Sequence, residues 1–125
     1  MPREPQSSLW MVWFFSAMKD GPAYGYELAT RFREMSGGHM KISYGTIYPL
    51  LRRMERKGLI RSKKHQPSGR VYYELTKRGA QAQKRVSGRM DEYQKEMEEK
   101  LLGILSMHGT IFGRKALRNV LKRVE

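Results

Sequence analysis

The hydrophobic positions along the first half of the chain predict three helices and a short strand. Residues 7–21 are apolar almost all round and carry Met, Ala and Leu beside the aromatics, which favours a buried helix. Residues 25–35 place apolar side chains on one stripe and polar ones opposite, which is typical of an amphipathic helix. Residues 40–42 could form a short strand. A third helix is predicted over residues 44–57.

Alternating positions after the third helix predict a β-hairpin. Residues 59–65 and 70–76 read as strands, and Val71, Tyr73 and Leu75 alternate along the second. The letters QPSG between them are typical of a turn. The hairpin therefore follows directly on the third helix.

The helical pattern returns after the hairpin. Thr76 is expected to cap a long helix that runs to about residue 107. The tail has apolar positions at helical spacing, which predicts a short amphipathic helix with Thr110 as its candidate cap. The fold class is therefore mainly α with a small β-hairpin: a winged helix-turn-helix followed by a long C-terminal dimerisation helix.

This order divides the chain into three parts. Residues 1–79 form the winged-helix domain, residues 80–108 the dimerisation helix, and residues 109–125 a basic C-terminal helix or tail. The first part carries 15 Lys/Arg and 6 Asp/Glu, the second 5 and 5, and the third 5 and 1. The middle part is therefore a different kind of surface, suited to self-association.

The predicted third helix has one face that a core explains and one that it does not. Its core face consists of Ile47, Leu50, Leu51 and Met54. Gly45 costs about 1 kcal/mol of helix propensity compared with alanine, and Pro49 loses a backbone hydrogen bond. A helix selected for stability alone would use neither, so the start of this helix favours contact with a ligand. The alternative is that its arginines are only a solvated basic face.

Charge indicates which ligand. The formal net charge is +13, an excess that an acidic partner such as nucleic acid would offset. The hairpin segment 61–70 has four Lys/Arg and no acid, which suits DNA phosphates or a minor groove. Within it, Lys63, Lys64 and Arg70 are the candidates for phosphate contact.

Other function classes find little support in the sequence. There is no cysteine, the three histidines lack metal-ligand spacing, and no phosphate-binding loop or HExxH motif occurs. We therefore expect no enzyme activity, no cofactor and no metal. The longest apolar run, residues 9–15, is too short to span a bilayer, and no cleavage site follows it. We expect a cytoplasmic protein that does not insert into membranes.

Three segments resemble the PadR family of winged-helix transcriptional regulators. They are GPAYGYEL at 21–28, SYGTIYPLLRRMERKGLI at 43–60 and GRVYYELTKRG at 69–79. The resemblance covers roughly residues 8–80, and its most specific part is the run GTIYP at 45–49. It implies a homodimeric DNA-binding regulator, usually a repressor, with the C-terminal helix at the dimer interface. The short hairpin, His65 and the basic tail depart from the family pattern.

The resemblance and the charge pattern together give a set of candidate DNA-contact residues. They lie at the start of the third helix, on its basic face, on the preceding helix and loop, and in the hairpin: Tyr26, Lys41, Ser43, Tyr44, Thr46, Tyr48, Arg52, Arg53, Lys63, Lys64 and Arg70. As a homodimer, the protein would address the two half-sites of a pseudo-palindromic operator in double-stranded DNA.

The predicted long helix carries one apolar stripe at coiled-coil spacing. Its members are the candidate dimer-interface residues Val86, Met90, Tyr93, Met97, Leu101 and Ile104. The alternative is that the stripe packs on the first helix of its own chain. Some members of the family bind planar aromatic molecules between subunits. The residues that could line such an effector pocket here are Trp10, Trp13, Phe14, Met90 and Tyr93, although aromatic and Met side chains at this spacing are also typical of a core.

Two further functions stay open at this point. A non-specific architectural nucleic-acid-binding protein would need only the charge and the basic tail. A binder of acidic membrane surfaces could use residues 109–125 as an amphipathic basic helix.

Overall fold

The computed structural model describes residues 7–125, with side chains from residue 10 onward. The chain forms two compact units, Met1–Gly88 and Arg89–Glu125. The elements in chain order are α1 (Ser7–Ala17), β1 (Ala23–Tyr24), α2 (Gly25–Met35), α3 (Tyr44–Arg56), β2 (Ile60–Lys64), β3 (Val71–Leu75), α4 (Lys77–Ser87), α5 (Met90–Phe112) and α6 (Arg114–Val124). This order confirms a winged helix-turn-helix body followed by a long helix.

Helix α1 is apolar on most sides because it is enclosed by the first unit. Its residues Phe14 and Phe15 are buried, and their rings pack edge to face. Two polar side chains donate hydrogen bonds to backbone carbonyls of α1. The Arg31 guanidinium donates to the Ala17 carbonyl at 2.7 Å, and the Gln83 amide of α4 donates to the Phe15 carbonyl at 3.0 Å. Both bonds satisfy carbonyls near the C-terminal end of the helix.

The sheet has three antiparallel strands in the order β1-β3-β2. Ala23 pairs with Tyr73, and Ile60 pairs with Leu75. The alternation predicted for β3 is present at Tyr73, which is buried, whereas Val71 lies exposed near the tip of the hairpin. The strand predicted at 40–42 is wrong. Residues 40–42 do not pair with any strand. The strand that joins the hairpin in the sheet is β1, which pairs with β3 and whose residues the sequence places in a turn.

The junction between α3 and α4 is built around Thr76. Its hydroxyl donates to the Gly58 carbonyl at 2.6 Å and accepts from the Gly79 amide at 3.0 Å. Thr76 is thus the N-cap of α4, as predicted. Gly58 takes a φ of 75° just after the end of α3, a conformation that favours glycine at this position.

The helix predicted from Thr76 to about residue 107 is two helices. Helix α4 ends at Ser87, and Arg89 leaves the helical region with φ −121° and ψ 21° before α5 begins. Ser and Gly at 87 and 88 have poor helix propensity, which makes this the weakest point of the pattern. Thr110 lies inside α5 and is not a cap. Helix α5 ends at Phe112, and the next residue, Gly113, has a φ of 96°, a conformation that favours glycine.

The second unit is a pair of helices with no buried residue in either. Helix α6 packs on the last turns of α5, where Gly109 faces Leu117 closely enough that a Cβ on the glycine would lie 3.1 Å from the leucine side chain. The predicted tail helix is therefore present. None of the helices within residues 7–125 is long and apolar enough to cross a membrane.

Candidate nucleic-acid interface

Helix α3 separates its core face cleanly from its outer face. All four predicted core residues are buried, at 8% exposure or less. Every candidate contact residue on this helix and just before it is exposed: Lys41, Ser43, Tyr44, Thr46, Tyr48, Arg52 and Arg53. The core therefore fixes the helix through one face, and the candidate contact residues lie exposed outside that face.

The start of α3 carries two exposed hydroxyl groups that do not cap the helix. Ser43 holds the N-cap position, but its side chain makes no capping bond to the helix. Its Oγ lies 3.3 Å from Oγ1 of Thr46, so the two hydroxyls pair at the surface. Hydroxyls in this state can donate to a phosphate or accept from a base edge.

Gly45, in the first turn of α3, is not required by the packing of its own chain. A Cβ built on it would meet only Ser43 Oγ, at an ordinary contact distance of 3.6 Å. Pro49 stands inside the same helix and is exposed. The packing of its own chain therefore leaves room for a side chain at Gly45.

The hairpin forms the wing, and its cations fall into two groups. Lys63 and Arg61 both bind the carboxylate of Glu74, at 3.0 and 2.7 Å. Hydrogen bonds from these two side chains hold the pKa of Glu74 below its usual value. Lys64 and Arg70 lie outside this cluster and are exposed. The predicted role of Lys63 therefore competes with an internal ion pair, whereas Lys64 and Arg70 have no such competitor among the described ion pairs.

Four aromatic side chains and an arginine gather beside the turn of the wing. The rings of Tyr24 and Tyr26 are stacked within 4° of parallel, with centroids 6.3 Å apart. The Arg70 guanidinium carbon lies 5.6 Å from the Tyr24 ring centroid and 5.9 Å from that of Tyr26. Tyr72 and His65 pack edge-on against Tyr24. Tyr24 and Tyr72 are absent from the predicted contacts. For Tyr24 the reason is that the sequence of β1 is typical of a turn.

A cleft lies between the wing and α3, the helix that carries most of the predicted DNA contacts and that we call the recognition helix. We call it the tyrosine cleft; it has a volume of about 460 Å³ and is lined by Tyr24, Gly25, Tyr26, Tyr48, Arg70, Val71 and Tyr73. Burial, with a contribution from the nearby Tyr48, raises the pKa of Tyr73 above its usual value. Three of the predicted contact residues, Tyr26, Tyr48 and Arg70, thus meet in one place.

A second cleft lies beside the first turn of α3. It has a volume of about 320 Å³, and its lining includes Tyr26, Arg33, Lys41, Ser43 and Tyr44. Arg33 did not appear among the predicted contacts, although its place opposite the core stripe of α2 signals an exposed cation. The fold also brings together four residues that were predicted as contacts: Tyr26, Lys41, Ser43 and Tyr44.

The candidate dimer residues divide between the two units. Val86 is on α4 and is buried in the first unit at 5% exposure, so it does not continue a free stripe. The other five are on α5, and Met90, Leu101 and Ile104 are exposed there, while Tyr93 and Met97 are half-buried. Arg89 lies over the Tyr93 ring, 5.5 Å from its centroid.

The candidate effector residues divide in the same way. Trp10, Trp13 and Phe14 belong to the first unit, and Met90 and Tyr93 to the second. Phe14 has no exposed surface and is a core residue. Trp10 and Trp13 pack edge to face, 5.5 Å apart. Among the described residues, no group of His, Cys, Asp or Glu could hold a metal ion.

Comparisons with known proteins agree with this geometry. Residues 15–85 match the family described as "Transcriptional regulator PadR-like family". A transcriptional regulator from Clostridium thermocellum shares the fold, with a TM-score of 0.63 and 22% identity over 79% of this chain and 96% of that chain. A PadR-like transcriptional regulator from Bacillus cereus gives a TM-score of 0.61 and 24% identity over 79% and 97%.

A PadR family transcription regulator from Clostridium difficile is similar at 30% identity, with a TM-score of 0.57 over 73% of this chain and 96% of that chain. No curated protein matches the sequence significantly. The family match covers more than half of the chain, including the recognition helix, the wing and the first helix of the predicted dimerisation element. The chain therefore belongs to the PadR-like family of transcriptional regulators, which regulate transcription through DNA and are not enzymes.

Proposed function

We propose that this regulator is a repressor that binds a pseudo-palindromic operator as a homodimer, with α3 in the major groove and the wing on the adjacent backbone or minor groove. The observation that carries the proposal is the tyrosine cleft, which α3 and the wing border together. Two elements that meet at one cleft can follow one DNA strand from the major groove to the next groove. Ser43, Tyr44, Thr46 and Arg52 supply the exposed polar groups of α3 for base edges.

Selection of bound sites from random duplex DNA tests this function directly. A regulator should enrich one inverted repeat and prefer it to random duplex by about 10³-fold or more. The non-specific architectural alternative would yield no consensus and a comparable affinity for all sequences. Both bind in a salt-dependent way, so the specificity ratio alone separates them.

Two variants test the division of roles within the interface. Arg52→Ala on α3 should weaken binding to the selected site by about 1–3 kcal/mol and relax its sequence preference. Lys64→Ala on the wing should weaken binding to every sequence alike and lower the salt slope by about one. A changed preferred sequence in Lys64→Ala would contradict the assignment of the wing to the backbone.

The homodimer proposal is supported by apolar surface on α5. Helix α6 covers the side of α5 that carries Leu105 and Gly109, which are partly buried, and leaves Leu101, Ile104 and Ile111 exposed by more than half. An apolar stripe of this kind on a charged helix is typical of an association surface. Sedimentation equilibrium at micromolar concentration should give twice the mass of 14.7 kDa. A monomer there would contradict the homodimer.

A planar aromatic effector is the remaining part of the proposal, and one observation supports it. Trp13 is half-buried and lines an apolar cavity of about 260 Å³ together with Phe32, Met35, Met40 and Ile42. Methionine side chains adapt to ligands of different shape. Both tryptophans of the protein are on α1, so titration with planar aromatic compounds should change the intrinsic fluorescence. No change across a diverse panel would exclude this part.

A further inference from the structure

Arg70 differs from its neighbours on the wing in what holds it. Arg61 and Lys63 are held by a carboxylate, which offsets their charge. Within the described part of the chain, the side-chain contacts of Arg70 are with the neutral rings of Tyr24 and Tyr26. A ring face attracts a guanidinium, but unlike a carboxylate it does not take up the hydrogen bonds that the N–H groups can donate. Arg70 therefore keeps both its full charge and its donors for something outside the chain.

The two rings and the arginine are themselves fixed in place. The His65 amide donates to the Arg70 carbonyl at 2.6 Å, and Ser68 Oγ accepts from the Arg70 amide at 3.3 Å, so the wing turn sets the backbone. Tyr72 lies edge-on to Tyr24, with ring centroids 6.2 Å apart. A guanidinium supported in this way loses little conformational freedom when it binds, which lowers the entropic cost of the contact.

The chemistry of the tyrosine cleft indicates which kind of group would bind there. Among the described residues, no acidic side chain lines it, and its polar side chains are a guanidinium and tyrosine hydroxyls. The guanidinium only donates hydrogen bonds, and the hydroxyls can donate as well. A group that only accepts and carries negative charge matches this set, and a phosphate oxygen pair fits the edge of a guanidinium bidentately. Base edges in a groove present donors as well as acceptors, and their pattern changes with the sequence.

We propose that the tyrosine cleft binds one phosphodiester group of the DNA backbone in each half-site, with Arg70 as the contact residue and Tyr24 and Tyr26 as its positioning residues. The proposal rests on the DNA-binding function proposed above. It assigns the wing arginine to the backbone rather than to sequence readout. It also gives the aromatic pair at the start of α2 a role in DNA affinity.

The test measures affinity as a function of salt, on the duplex recovered by site selection and on a random-sequence duplex. Arg70→Gln should weaken binding to both duplexes roughly tenfold and lower the salt slope by about one. The matched control is Arg61→Gln, a wing arginine already paired with Glu74, which should leave the slope nearly unchanged. An unchanged slope in Arg70→Gln, together with a changed base preference, would overturn the proposal in favour of groove readout.

A double-mutant cycle tests whether the rings position Arg70, because the effects of the two substitutions on binding should then not add. Tyr24→Leu should weaken binding in the wild-type background and have little further effect in Arg70→Gln, whereas Tyr24→Phe keeps the ring and should bind normally. Tyr26→Leu, at an exposed position, repeats the test if Tyr24→Leu destabilises β1. Equal effects in both backgrounds would overturn the positioning role.

A scan of single neutral methylphosphonates through the selected duplex locates the contact. One position in each half-site should weaken wild-type binding and have no effect on Arg70→Gln. If every position affects both proteins equally, the phosphate site is wrong. If the wild type shows no sequence preference while Arg70→Gln still lowers the slope on random duplex, the proposed regulator function fails and the phosphate site stands.

Discussion

The ring of Tyr48 in α3 lies directly against Gly25 at the start of α2. A Cβ on Gly25 would fall 3.0 Å from three atoms at the hydroxyl end of that ring. The same ring is tilted against Tyr44, with centroids 6.3 Å apart. Tyr48 thus packs the first turns of α3 against the start of α2. Its position depends on the absence of a side chain at residue 25.

Gly25→Ala should therefore affect DNA binding more than stability. The added methyl group displaces the half-exposed Tyr48 ring, while alanine gains helix propensity, so the net change in unfolding free energy should stay within about 1 kcal/mol. Affinity for the selected duplex should fall roughly tenfold, which corresponds to about 1.4 kcal/mol. Fluorescence anisotropy and urea denaturation measure the two effects. Wild-type affinity in Gly25→Ala would show that the Tyr48 position does not matter for binding.

Gly45→Ala should separate stability from function in the other direction. The chain has room for a Cβ there, so the variant should gain up to about 1 kcal/mol of stability from helix propensity. If DNA approaches the backbone at Gly45, the same methyl group should weaken specific binding. The denaturation midpoint should rise while the affinity for the selected duplex falls. A variant that is more stable and binds normally would contradict the close approach.

Gly79→Ala is the control for Gly45→Ala, because it adds the same methyl group in the same unit at a position that has no room for it. A Cβ at Gly79 would overlap the carbonyl oxygen of Leu59, which is backbone and cannot rotate away. The hydrogen bonds that join Thr76 to Gly58 and Gly79 would be strained by any shift of α4. We expect a loss of about 2–4 kcal/mol, measured by urea denaturation. A neutral effect would mean that α4 can move relative to β2 at little cost.

Glu74→Gln should strengthen non-specific DNA binding. It releases Arg61 and Lys63 from their shared carboxylate, so the wing gains cations that can displace counterions from DNA. The salt slope on random duplex should rise by about one to two. Stability at neutral pH should hardly change, because exposed ion pairs contribute little. An unchanged slope would show that Arg61 and Lys63 point away from DNA.

The lowered pKa of Glu74 sets the pH range of this effect. A carboxyl whose pKa is depressed in the folded state stabilises the fold above its unfolded pKa, and this contribution is lost as the pH falls through the folded value. The ion pairs with Arg61 and Lys63 therefore persist at neutral and mildly acidic pH. Only below the depressed value should wild type and Glu74→Gln show the same salt slope.

Ile104→Glu should convert the homodimer into monomers. The side chain is 63% exposed on the uncovered stripe of α5, so a charge there would be buried only in an association surface. The matched control is Ser106→Glu, exposed on the same helix outside the stripe. Sedimentation should give a monomer for the first variant and a dimer for the second. Two dimers would exclude this stripe as the interface.

Much of the fold was predictable because it depends on local periodicity. The apolar stripe of α3, the cap at Thr76 and the hairpin turn all follow from residues a few positions apart. The charge pattern was sufficient to predict DNA as a partner, because an excess of cations in the wing segment needs no knowledge of packing. The break at Arg89 was harder to predict from the sequence, because a single Ser-Gly pair weakens a helix but does not determine where the helix ends.

Local sequence patterns therefore determined most of the elements, the family and the outward face of the recognition helix. Which side chains meet was decided by the tertiary structure. Tyr24 and Arg70 are far apart along the chain and come together because β1 pairs with β3. Among the described ion pairs, Lys63 has a partner and Lys64 has none, because neighbouring residues of a strand point to opposite faces and only one face carries Glu74. Such relations depend on strand register and packing between distant segments, which no local pattern specifies.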